Sequence, residues 1–221
     1  MPGQSGQEIR LPDGAIIRAN PEAGAVHVVY GVRRDSYIFD DFVVLSFYDT
    51  IGSDVQFLNQ DILFGSGSET GDRFGSALAV GNFASGGPAL AIGVPREDLA
   101  GGNDAGEVNV IYAFGRLSPT ATPRPQRLGD SSAQAGARFG SSLTGWDFGR
   151  AGAFSGFRLC ADLAVGAPFK DIAGKIDAGA MHVFYGTSNG LTFTGEQDWT
   201  QDSPGIPGGS EAGDMFGAAG Y

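Results

Sequence analysis

Lysine, cysteine and histidine are nearly missing from this 221-residue chain, and each shortage narrows what the protein does. Lys170 and Lys175 are the only lysines, 14 basic residues face 25 acidic ones, and the formal net charge is −11. A surface of that sign repels phosphate backbones, which argues against nucleic acid as a partner. The single cysteine, Cys160, forms no intramolecular disulfide and reads as a small buried apolar residue beside a strand. With His27 and His182 as the only histidines, a Ser-His-Asp or Cys-His constellation has little to draw on. The many carboxylates cannot be placed at hydrolase spacing, so no catalytic residue is assigned. No run approaches the roughly 18 apolar residues of a membrane span. The opening "MPGQSGQEIRLPDG" lacks the charged start and apolar stretch of a secretory signal. Helical spacing is not kept for three turns anywhere in the chain.

Glycine, by contrast, is abundant: 37 of 221 residues, more than double the usual share of about 7%. It disfavours helix, at roughly 1 kcal/mol per interior position relative to Ala, and suits tight turns and close backbone approach. Between the glycines lie runs of four to eight residues with period-two alternation. In one of them Val108, Val110 and Tyr112 fall on one face, with Asn109 and Ile111 on the other. The fold class is all-β.

The runs repeat. "GDRFGSALAVGNF" (71–83) matches "GARFGSSLTGWDF" (136–148), and "GDMFGAAGY" (213–221) begins the same phrase. "LAIGVP" (90–95) matches "LAVGAP" (163–168). "EAGAVHVVYG" (22–31), "DAGEVNVIYA" (104–113) and "DAGAMHVFYG" (177–186) share an acid, Ala-Gly and an apolar alternation ending at Tyr30, Tyr112 and Tyr185. The order is fixed: a Phe-Gly phrase, a Gly-x-Pro phrase, an Ala-Gly-to-Tyr phrase and a Gln-containing connector.

Three phrases in one order, twice over, resemble FG-GAP repeats, the units of the β-propeller at the head of integrin α subunits and of many bacterial surface proteins. The resemblance spans about residues 60–221 well and 14–31 more weakly. It implies four-stranded propeller blades: about two full blades with partial blades at both ends, all parts of one propeller domain. Residues 1–62 then form a partial first blade with an aromatic insertion at 32–56, 63–130 and 131–203 the two full blades, and 204–221 the start of another. The insertion holds Tyr37, Phe39, Phe42, Val44, Phe47 and Tyr48, too dense an apolar set for water, and is expected to be strand-rich and buried.

In such repeats the loop between the Phe-Gly and Gly-x-Pro strands often carries a calcium site of the D-x-D-x-D-G-x-x-D-L type, built from converging hard oxygens. In the first full repeat that loop has Asn82 at the first position and no carboxylate after it, which argues against calcium there. The second keeps Asp147 and Asp162 at the first and last ligand positions, with Arg150 and Arg158 between them and no other acid. Two readings stay open: a weak calcium site or none, with Asp147 and Asp162 as metal ligands or as turn-capping acceptors.

Glu22, Asp104 and Asp177 read as turn formers, since each belongs to a different repeat. His27 and His182 share the repeat position of Asn109 and read as a structural column. Phe74, Phe139 and Phe216 open each repeat and read as packing residues between blades. Trp146 and Trp199, near strand ends, read as core. The resemblance implies an extracellular or cell-surface setting and a non-catalytic binding, adhesion or scaffold module that takes a protein or glycan ligand through its loops. The other reading is the propeller portion of a larger secreted enzyme, of hydrolase or phospholipase-like kind, with its catalytic residues outside these 221. Incomplete blades expose flanks that repeats cannot bury alone, so either a longer parent chain or a head-to-tail homo-oligomer is expected to complete the propeller.

Overall fold

The computed structural model describes residues 8–10, 16–20, 24–29, 32–36, 45–49, 55–65, 67–85, 87–112, 123–148 and 160–219. They form an all-β fold with a single helical turn. The first sheet comprises β1 (Glu8–Arg10), β2 (Ile16–Asn20), β3 (Ala25–Val29) and β6 (Val55–Leu58), in that order. The second is the meander β7 (Leu78–Ala84), β8 (Gly87–Val94), β9 (Glu107–Tyr112) and β10 (Gln126–Leu128). The third repeats it with β11 (Ser142–Trp146), β12 (Asp162–Ala167), β13 (Ala180–Thr187) and β14 (Gly190–Trp199). All neighbours in these sheets are antiparallel.

In the first sheet β1 pairs with β2 from Glu8↔Arg18 to Arg10↔Ile16 and makes the sheet four-stranded. A three-residue strand has no period to read in a sequence. Within 32–56 a separate hairpin forms from β4 (Val32–Ser36) and β5 (Leu45–Asp49), paired from Val32↔Asp49 to Ser36↔Leu45. Residues 37–44, with Tyr37, Phe39, Phe42 and Val44, lie outside the described residues.

The sheets pack face to face. Val26, Val28 and Leu58 of the first meet Leu78, Leu90, Ile92 and Ile111 of the second, with Phe74 buried among them. Val108, Val110 and Leu128, on the second sheet's opposite face, meet Leu163, Val165 and Phe184 of the third around Phe139. The alternation in β9 thus puts Val108, Val110 and Tyr112 at one interface and Ile111 at the other. A fully buried aliphatic or Phe side chain contributes about 1.5–3 kcal/mol, so each interface holds its sheets firmly.

The Phe-Gly phrases fasten the units. Phe139 N–H donates to the Ala105 carbonyl at 2.9 Å and Arg138 N–H to that of Asp104 at 3.1 Å. Phe216 and Met215 repeat both bonds, at 3.0 Å each, on Ala178 and Asp177. Glycine is required where the backbones meet. A β-carbon on Gly93 would lie 2.1 Å from the Gly140 carbonyl oxygen, and one on Gly166 would lie 1.9 Å from that of Gly217. The 213–219 segment therefore sits on the third sheet as the next repeat's opening phrase sits on the second.

Candidate functional site

Asp147 and Asp162 lie at the end of the hairpin of β11 and β12, where Trp146 pairs with Asp162. Asp162 is buried, and both its oxygens accept from backbone: Oδ1 from Gly186 N–H at 2.9 Å, Oδ2 from Phe148 N–H at 3.0 Å. Burial pushes its carboxyl up, these two bonds pull it down, Asp147 nearby pushes it up again, and the net direction is upward. Asp147 is exposed. Asp162 thus braces the hairpin with both carboxylate oxygens, and residues 149–159 of the same loop, with Arg150 and Arg158, lie outside the described residues. Among the described residues no three acidic, histidine or cysteine side chains converge as a cation cage requires.

Trp146 corrects the core reading, for it is 70% exposed, and Phe148 beyond Asp147 is 41% exposed. The strand ends there, and no described sheet covers the ring. Trp199 is partly buried against Ala164, Val183 and Tyr185 on the third sheet's outer face. Cys160 is buried, its thiol donating to the Thr187 carbonyl at 3.3 Å, and burial pushes the thiol pKa up.

A polar column crosses the sheet interfaces, and no sequence motif marks it. Gln60, two residues past Leu58, donates from Nε2 to Glu97 Oε2 at 2.6 Å and to Glu107 Oε1 at 3.1 Å. Asn109 donates to the same Glu107 oxygen at 2.6 Å, and Arg127 Nη1 lies 3.1 Å from Glu107 and 3.5 Å from Glu97. Burial, with Glu107 and Asp72 adding repulsion, pushes Glu97 up to about 7 against the pull of Gln60 and Arg127. At the second interface Asp130, two residues past Leu128, pairs with Lys170 and accepts from Ser132 N–H and Oγ–H at 2.8 and 2.9 Å. Burial raises the Asp130 carboxyl, but Lys170, His182 and Ser132 together hold it below the usual range.

His182 lies at that interface, its Nε2 3.5 Å from Asp130 and its Nδ1 2.6 Å from Asp198, with its ring edge-on to Phe139. Asn109 and His182 are buried, whereas His27, at the same repeat position, is exposed and stacks edge-on with Phe57 at 5.2 Å. The difference is in the neighbours: Asn109 and His182 face a preceding sheet, and no described sheet covers the His27 face.

Asp104 and Asp177 adopt left-handed φ of 54° and 53°, and their N–H groups donate to Asp98 and Asp171 at 2.9 and 3.0 Å, as turn formers. Between the connector and the Gly-x-Pro loop, Glu69, Asp72, Asp98 and Asp104 line an open cavity of about 270 Å³ with Arg96. Asp72 is raised by burial, despite the N–H of Glu69, which it accepts.

Among the described residues no helix is long and apolar enough to cross a membrane. Comparison with protein-family models found no match, and comparison with curated proteins found none.

Proposed function

We propose that the chain is a non-catalytic binding module of the extracellular or cell-surface kind. Its stacked four-stranded sheets would be blades of an FG-GAP-type propeller, and its loops would recognise a protein or glycan. The Phe-Gly phrases docked on the preceding Ala-Gly turns support the blade reading, because they join successive sheets by one repeated set of bonds. The observation that carries the binding role is the exposed Trp146–Asp147–Phe148 tip. An indole left 70% exposed beside an exposed phenyl ring is an apolar surface with a polar handle, the chemistry that dominates recognition sites.

Gln60, Glu97, Glu107 and Arg127 at one interface, and Asp130 and Lys170 at the other, are held by one another, which suits a rigid scaffold. The test is a screen of the purified chain against glycan and protein arrays, repeated with Trp146→Ala. Binding lost in the variant, with an unchanged thermal melt, supports this reading. Ligands that bind both proteins equally would move the site elsewhere.

A further inference from the structure

We propose that the helical turn α1 (Gln60–Phe64) is a strap worked by one proton: it is held against the second sheet while the Glu97 carboxyl is protonated and is released when that carboxyl ionises. This holds whether or not the sheets are blades of a propeller.

α1 follows β6 of the first sheet, and three of its side chains fasten it to the second. Gln60 donates from Nε2 to Glu97 at 2.6 Å and to Glu107 at 3.1 Å. Leu63 is buried in the cluster that holds Leu58, Leu90 and Ile92. Phe64 lies beneath Arg127, whose guanidinium carbon is 4.4 Å from the ring centre. Asp61 and Ile62 are exposed. Asn59 caps the turn, its side chain accepting from Ile62 N–H at 2.8 Å, and Leu63 N–H and Gly65 N–H close it on the Asn59 and Asp61 carbonyls at 3.1 and 2.8 Å. A helix of five residues has too few such bonds to persist alone in water, so the side-chain fastenings decide whether α1 is formed.

The donors at this interface are shared unequally. Glu107 Oε1 accepts from Gln60, from Asn109 at 2.6 Å and from Arg127 at 3.1 Å, as an ionised carboxylate does. Glu97 has the Gln60 amide and, at 3.5 Å, the same guanidinium. Among the described residues the charged groups that act on Glu97 are Glu107 on β9, Asp72 before Phe74, and Arg127 on β10; α1 brings only the neutral Gln60. Arg96 and Asp98, on either side of Glu97, line the open cavity. Donors are short in this cluster, for Asn109 Oδ1 is buried with no hydrogen-bond partner among the described residues. Two buried carboxylates drawn onto one amide repel each other when both are ionised, and the proton goes to the one with fewer donors, Glu97.

Opening α1 lets water reach that pair and relieves the repulsion. Closed α1 therefore binds the proton more tightly than open α1, in which Glu97 returns toward its ordinary 4.5. The preference for the closed form is fully present below 4.5 and is lost as pH rises through about 7.

The experiment is native-state hydrogen exchange on the full chain from pH 5 to pH 8 at several low urea concentrations, with intrinsic exchange rates divided out. It reads the Ile62, Leu63 and Gly65 amides against those of β12 and β13, and is repeated for Glu97→Gln and Glu107→Gln. Protection of the α1 amides should fall about seventyfold over that range, the ratio generated by a carboxyl held at about 7 when closed and 4.5 when open. A strap opens without unfolding the sheets, so this loss should be nearly independent of urea, whereas β12 and β13 should exchange through urea-sensitive global unfolding. Glu97→Gln should leave α1 protection flat with pH. Glu107→Gln removes the repelling carboxylate and turns Arg127 toward Glu97, so the midpoint should move to lower pH. Circular dichroism melts confirm that each variant is folded; if Glu107→Gln is not, the Glu97→Gln profile decides. α1 protection that is constant with pH, that follows the urea dependence of β12 and β13, or that falls equally in Glu97→Gln overturns the proposal, as does an unmoved midpoint in folded Glu107→Gln.

Discussion

Replacing Glu97 by glutamine should remove a pH-dependent penalty at the first interface. Glu97 is buried beside Glu107 and Asp72, with only Arg127 and the Gln60 amide in compensation, and its carboxyl is pushed from its ordinary 4.5 to about 7. The folded chain therefore holds this proton more tightly than the unfolded chain does. Its contribution is fully present below 4.5 and is lost as pH rises through about 7. At 1.36 kcal/mol per pH unit, the loss between roughly pH 5 and pH 8 is about 2.5 kcal/mol. The glutamine keeps a carbonyl for Gln60 to donate to, and Arg127 keeps Glu107 at 3.1 Å, so the variant loses the charge and little else. Urea unfolding at several pH values reads the effect: equal stability near pH 5 and a variant more stable by about 2.5 kcal/mol near pH 8. A wild-type-to-variant gap that stays constant, or widens toward acid, would refute this account of the cluster.

Three further outcomes are expected. Phe139→Ala, at a fully buried position between Phe184 and His182, should cost about 3–5 kcal/mol in chemical denaturation, whereas the partly exposed Phe216 should cost well under half of that on the same substitution. Asp130→Asn, which leaves the 12%-exposed Lys170 ammonium without its anion, should destabilise by about 3–5 kcal/mol at neutral pH. Because Asp130 is held below the usual range, that gap should close as pH falls through the native carboxyl's pKa, and a gap unchanged in acid would count against the ion pair. Tryptophan emission should be dominated by a red-shifted, readily quenched component from Trp146, and acrylamide quenching of Trp146→Phe should leave only the more shielded Trp199. Uniformly blue, protected emission from the wild type would contradict the exposed tip.

Much of this fold is written in local pattern. Alternation in "EVNVIY" marks two faces because successive strand side chains must point oppositely, and both faces of β9 are buried as that pattern requires. The Phe-Gly and Ala-Gly phrases carry the contact between units because only glycine admits a carbonyl as close as that of Gly140 to Gly93. What local pattern cannot carry is the identity of the neighbour across a gap. His27 and His182 stand at one repeat position with like flanks, yet one is exposed and the other lies between Asp130 and Asp198. Gln60 and Asp130 look like connector residues until the register places each two positions past a buried Leu and across from the next sheet. Trp146 reads as core from its place near a strand end, and it is exposed where β11 stops opposite the first residue of β12, Asp162. Strand and turn arise from interactions over a few residues, which a sequence displays directly. Burial, shifted carboxyls and orphaned acceptors arise from surfaces that meet only after the sheets have stacked.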